Sequence, residues 1–115
     1  MRLTTRDSDG IASAIQEGRE FTTRGSLSGQ PSTGWTGRLP SEWQTEYRDR
    51  EDRIAYTVYS YGTPIAWLDT EEGWVMPDVK YSVTTSKQQG TIRMALYYLD
   101  VEDPRTTLKT PSPVL

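Results

Sequence analysis

The sequence predicts an α+β fold: a small single domain, a mostly antiparallel β-sheet with an N-terminal and a C-terminal helix packed on it. Three observations carry this reading. Apolar residues recur with helical spacing near residue 11 and again near residue 92, the stretches between them alternate as strands do, and no repeat or long linker divides the 115 residues. The domain is placed at residues 1–102, and 103–115, with three prolines and little to bury, is expected to be a flexible C-terminal tail.

"RDSDGIASAIQEGREF" opens with a helix start signal. Asp7 or Ser8 can cap the first-turn amides, Asp9 suits the positive end of the helix dipole, and Ile11, Ala14 and Ile15 share a face. Gly18 is a natural stop, so a short amphipathic helix is expected over about 8–17. In "EFTTRGSLS", Phe21, Thr23, Gly25 and Leu27 fall on one face of an expected strand, with "SGQPSTG" as its turn. "WTGRLP" is expected to return as a short partner strand ended by Pro40. Ser41 with Gln44 then has the spacing of a capping box, and Trp43 and Tyr47 lie one helical turn apart.

"RIAYTVYSY" alternates, with Ile54, Tyr56 and Val58 expected on one side and Ala55, Thr57, Tyr59 and Tyr61 on the other. "PIAWLD" resumes the sheet after Gly62-Thr63. Because Pro64 has no amide hydrogen to donate, the chain must bulge, turn or run at a sheet edge there. "DTEEG" suits a hairpin into "WVMP", and "DVKYSVTT" reads as the last strand. Ile92, Ala95, Leu96 and Leu99 then mark a closing helix, with Thr85–Gln88 or Ser86–Gln89 as its capping box.

Composition narrows the chemistry. Hydrophobic residues are 34% of the chain, and Ile, Leu, Val and Phe together number 20, so seven Tyr and four Trp are expected to build much of the core. There is no Cys and no His, which removes disulfides, thiolate chemistry, the usual zinc ligands and the usual general base. Carboxylates, Lys, Tyr, or a hydroxyl activated by Lys are what remains for catalysis, with Ser86 and Lys87 an adjacent pair. No stretch reaches the length of a membrane span and "MRLTTRDSDG" lacks the apolar run of a signal peptide, so a soluble, cytoplasmic protein is expected. A net charge of -3 argues against wrapping duplex DNA.

Two segments carry a resemblance. Ser60, Tyr61, Thr63, Pro64, Ile65, Ala66 and Trp67 form one, and Tyr81, Ser82, Thr84, Thr85, Ser86, Lys87 and Gln89 the other. Together they resemble small proteins of tailed bacteriophages, particularly those infecting actinobacteria, over roughly residues 54–100. Gln88 stands where that pattern usually has His, so any proton transfer or metal binding by the histidine is lost here, whereas a hydrogen bond can be kept by Gln. The resemblance implies phage origin and action in the host cytoplasm. It brings no assigned activity.

The candidate binding residues form two sets. Thr84, Thr85, Ser86, Lys87 and Gln88 sit where a strand is expected to pass into a helix, so hydroxyls, free amides and one cation can meet an anion, or simply cap the helix. Tyr59, Tyr61 and Trp67 can stack on bases if exposed, or replace scarce aliphatics if buried. The charged run from Glu46 to Arg53 is read as a solvated loop, and Glu71 and Glu72 as a solvent-facing hairpin tip. The function expected is a non-catalytic interaction protein without a cofactor, binding an unidentified host or phage protein. The alternative is a single-stranded nucleic-acid binder using Thr84–Gln89 and the sheet aromatics. A homodimer formed through an edge strand such as "RIAYTVYSY" is also open.

Overall fold

The computed structural model describes residues 2–3, 8–23, 26–78, 83–101 and 104–106. In chain order the elements are β1 (Arg2–Leu3), α1 (Ser8–Gln16), β2 (Phe21–Thr23), β3 (Leu27–Gln30), α2 (Ser41–Asp49), a 3₁₀ turn (Glu51–Arg53), β4 (Ile54–Ser60), β5 (Thr63–Asp69), β6 (Gly73–Val75) and α3 (Val83–Tyr98). They form the expected α+β fold. One six-stranded sheet runs in chain order, β1-β2-β3-β4-β5-β6, with β1 parallel to β2 and every later pairing antiparallel.

Helices cover both faces of the sheet. α1 and α3 lie side by side, and Ile11, Ala14, Ile15, Ile92, Ala95 and Leu96 meet Phe21, Leu27, Tyr56, Val58, Ile65 and Trp74 on one face. On the other face, Leu39 and the α2 residues Trp43 and Tyr47 pack on Ile54, Trp67 and Val75. No described helix is long and apolar enough to cross a membrane. α1 ends as its sequence implies. Gly18 adopts φ 65°, its amide donates to Ile15, and the Arg19 amide donates to Ala14, which closes the helix in the manner glycine favours.

Rings do fill the interior. Trp67, Tyr47, Tyr56 and Phe21 head the fully buried side chains. The close fit of Phe21 and Tyr56 over β3 explains Gly29, where an added Cβ would stand 2.9 Å from a carbon of each ring, with a second Phe21 carbon closer still. Gly29→Ala is expected to destabilise the domain by about 1–3 kcal/mol, because two buried rings must shift together. Urea unfolding measures it, and an unchanged midpoint would show that the rings relax freely.

Several expected elements take another form. "EFTTRGSLS" is two strands, β2 and β3, paired as a hairpin rather than one strand. "WTGRLP" forms no strand, and β3 pairs with β4 instead. The Ser41–Gln44 capping box does not form. Pro40 occupies the N-cap, and the Gln44 side chain donates through Nε2 to the Leu39 carbonyl at 2.7 Å. Val83, Thr84 and Thr85, expected to end a strand, belong to α3, so Thr85 and Ser86 lie within its first turn instead of capping it from outside. Residues 79–82 of that expected strand lie outside the described residues. β4 is central, flanked by β3 and β5, so it offers no edge for pairing with a second chain. Pro104–Thr106, within the stretch expected as a tail, runs beside β6, where Arg105 exchanges amide hydrogen bonds with Trp74 and Met76 at 2.8 Å.

Two bulges decide which side chains face which helices. Ile54 pairs with Asp69 and Tyr56 with Leu68, leaving Ala55 as an extra, exposed residue. The strand therefore changes sides: Ile54 packs under α2, whereas Tyr56 and Val58 pack under α1 and α3, so the expected common face of the three is broken. The second bulge falls where Pro64 demands one. Val58 pairs with Ala66 and Tyr59 with Pro64, and the extra Ile65 joins Ala66 in the same cluster.

Candidate interaction site at the hairpin end of the sheet

β4 and β5 are joined by two residues, Tyr61 and Gly62, with Ser60 paired to Thr63. Both turn residues have positive φ, 52° and 76°, the conformation that matches the twist of a two-residue hairpin. Gly62 adopts it at no steric cost, but Tyr61 does not, since a side chain is strained in this region. Its ring is 72% exposed. The turn thus holds a large aromatic residue in a strained conformation without gaining burial.

A second bare ring is held beside this turn. In the loop between β3 and α2, the Gly34 amide donates to the Tyr47 hydroxyl at 3.1 Å, and the Arg38 amide donates to the Thr63 hydroxyl at 2.9 Å. Gln30 donates to the Thr33 carbonyl and to the Tyr59 hydroxyl, at 3.4 and 3.2 Å. Gly37, with φ 54°, lies so close to the turn that a Cβ there would stand 2.8 Å from the Gly62 carbonyl oxygen. Trp35 sits between these anchors and is 74% exposed. Sequence reading placed it on a partner strand, and no local pattern distinguishes it from the three buried tryptophans. Only the anchoring of the loop reveals it.

Beneath the turn, α3 is fastened to the sheet by a buried polar group. The Ser60 hydroxyl donates to the Gln88 side-chain oxygen, the Gln88 amide donates to the Ser26 hydroxyl at 2.9 Å, and Gln89 donates to the Pro77 carbonyl at 3.1 Å. Gln88 is thus a buried tie between α3 and the ends of β3 and β4, with its polar atoms satisfied inside the protein. Ser86 and Lys87 are exposed on the first turns of α3, next to that tie. The side chains of Thr84 and Thr85 lie outside the described residues.

The other candidate rings are interior. Trp67 is 1% exposed and meets Trp43 and Tyr47 edge to face, with centroids at 5.8 and 5.0 Å. Tyr59 is buried, and burial together with its hydrogen bond to Tyr47 holds its phenol above the usual range. Neither ring offers a face to a ligand. Of the three candidate aromatics, only Tyr61 joins Lys87 at the surface, and the structure adds Trp35 and Arg38 to them.

A charged cluster occupies the opposite end of β4 and β5, and it corrects the solvated reading. Glu46 is buried and its carboxylate meets Arg50 at 2.6 Å and Arg105 at 2.7 Å. Arg105 also reaches Glu72 at 2.9 Å and lies 5.8 Å from the centre of the Trp43 ring. Asp69, 1% exposed, accepts from Arg53 at 3.1 and 2.7 Å and from the amides of Glu71 and Glu72 at 2.8 and 3.2 Å. Burial alone would raise the Asp69 carboxyl. The hydrogen bonds from Arg53 and the two amides outweigh it and hold the group below the ordinary carboxylate range. Hydrogen bonding to Asp69 in turn raises the Arg53 guanidinium. Glu72 is half-buried, although Glu71 is exposed as expected. Arg105 comes from a part of the chain remote from the charged run, which is why local sequence gave no sign of the cluster.

A family model described as a family of unknown function, DUF8033, matches residues 12–93. That stretch runs from α1 into α3 and contains Trp35, Tyr61, Trp67 and Gln88. No curated protein and no solved structure matches the chain. Since the family model spans most of its residues, the chain belongs to DUF8033, a family of unknown function.

Proposed function

We propose that this chain is a non-catalytic interaction protein of phage origin that binds a host or phage protein in the cytoplasm through the hairpin end of its sheet. The observation carrying this is the pair of bare rings, Trp35 and Tyr61, on two segments bonded to each other through Arg38 and Thr63. A chain short of aliphatics gains by burying its rings, so leaving two of them out on anchored loops forgoes stability. The strain at Tyr61 points the same way, because unfavourable backbone conformations persist where function needs them. Tryptophan and tyrosine with neighbouring arginine are also the residues that dominate protein interfaces. Arg38, whose amide is bonded to Thr63, and Lys87, next in sequence to the Gln88 that is bonded to Ser60, are both exposed.

Composition supports a non-catalytic role, since neither His nor Cys is present. The buried carboxylates support it too. Glu46 and Asp69 are committed to arginines, and Asp69, held below the ordinary carboxylate range, is poorly placed to donate a proton near neutral pH. Phage origin rests on the likeness of residues 60–67 and 81–89 to segments of actinobacteriophage proteins.

The test compares wild type with a Trp35→Ser/Tyr61→Ser variant as bait in a lysate of the bacterial host. A stoichiometric protein partner recovered by wild type and lost by the variant, with equal thermal stability of the two baits, is the expected result. Equal recovery by both baits would move the site elsewhere. A wild-type chain that takes up single-stranded oligonucleotide at low salt, and loses it on Lys87→Ala, would replace the protein partner with nucleic acid.

A further inference from the structure

We infer that the outer face of α3 is a self-association surface, on which a second copy of this chain packs with its own α3 antiparallel. Along α3, Lys87, Gly90, Met94 and Tyr97 fall at spacings of three, four and three residues, the period of a helix–helix seam. This stripe lies opposite the buried one formed by Gln88, Ile92, Ala95 and Leu96. Met94 is 50% and Tyr97 64% exposed, so the seam presents large apolar surface to solvent. α3 thus has two faces of contact character, and among the described residues only one is covered.

Gly90 shows how closely the second face can be approached. Glycine inside a helix is unfavourable, so it calls for a reason. Among the described residues none supplies one, because beyond its chain neighbours and the backbone of α3 no atom lies within 4 Å of where its Cβ would stand. A helix from outside, packed against the bare backbone at this point, does supply one.

Complementarity selects a second copy as the occupant. Lys87 near the start of α3 and Asp100 just past its end are both exposed and of opposite charge. When two copies of α3 run antiparallel about a two-fold axis between Arg93 and Met94, each Lys87 comes to the C-terminal end of the other copy's α3, where Asp100 follows the last turn. The same register places the Tyr97 ring of each copy over the Gly90 notch of the other. One symmetry operation therefore matches charge to charge and ring to notch, as a two-fold interface requires. Lys87 belongs to both this seam and the interaction proposed above, whereas Gly90 belongs to the seam alone, so Gly90→Gln tests self-association by itself.

Sedimentation of the intact chain over a range of concentrations tests this. Wild type is expected to form a concentration-dependent dimer. Gly90→Gln should abolish it while leaving the thermal stability of the monomer undiminished, since glutamine suits an exposed helical position. Lys87→Glu should weaken it by about tenfold, and the pair Lys87→Glu/Asp100→Lys should restore it, because the two bridges are remade with reversed sign. A chain that stays monomeric up to millimolar concentration overturns the proposal. So does a dimer that neither Gly90→Gln nor Lys87→Glu affects, or a charge-reversed pair that fails to recover.

Discussion

Trp67→Ala is expected to destabilise the domain by about 3–5 kcal/mol, enough to unfold much of the population at room temperature. Trp67 is the largest side chain among the fully buried ones, and it joins α2 to the sheet by edge-to-face contacts with Trp43 and Tyr47. The effect reaches further than the cavity. The Tyr47 hydroxyl shares a hydrogen bond with Thr57 at 2.9 Å and accepts the Gly34 amide, so an unsupported Tyr47 also loosens the loop that presents Trp35. Urea unfolding monitored by far-ultraviolet circular dichroism gives the loss directly. Trp67→Phe, which keeps part of the contact, should fall between wild type and the alanine variant. A loss below about 1 kcal/mol for alanine would mean that α2 is dispensable for the core.

The second large effect is expected at Asp69. Asp69→Ala removes the acceptor for the Glu71 and Glu72 amides at the β5–β6 turn, and two hydrogen bonds to a charged group are worth about 2–4 kcal/mol together. The Arg53 pair adds less, because the guanidinium is screened by solvent. The pH dependence has a definite sign. The folded carboxyl titrates below the ordinary aspartate value, so its contribution is fully present above about pH 4 and is lost as pH falls through the lower, folded value. The stability gap between wild type and Asp69→Asn should therefore narrow on acidification below pH 4 and stay level from there to neutrality. A gap independent of pH throughout the acid range would remove the charge from the account and leave only turn geometry.

Strands β4 and β5 were legible because alternation, Gly62 and Pro64 are local signals, and a bulge at Pro64 follows from its missing amide hydrogen. The closing helix was legible from Ile92, Ala95 and Leu96, although its start came earlier than the capping residues implied. The bulge at Ala55 was not, since nothing in "RIAYTV" differs from a regular strand, and the extra residue exists only relative to β5. The candidate site was legible in part. Tyr61 and Lys87 are at the surface as a binding reading requires, whereas Tyr59, Trp67 and Gln88 are interior.

Local sequence carried an α+β class, an interruption near Gly62-Thr63, a core that relies on rings, and a chemistry without histidine or cysteine. Only the tertiary structure settled that Tyr61 is in the turn, which rings stay bare, that Glu46 is enclosed by Arg105 from a remote part of the chain, and that the loop carrying Trp35 is tied to the turn at Thr63. The reason is physical. Periodicity and turn chemistry act over a few neighbouring residues, but exposure depends on what arrives from elsewhere in the chain, and a one-residue bulge is enough to turn a strand's side chains from one layer to the other.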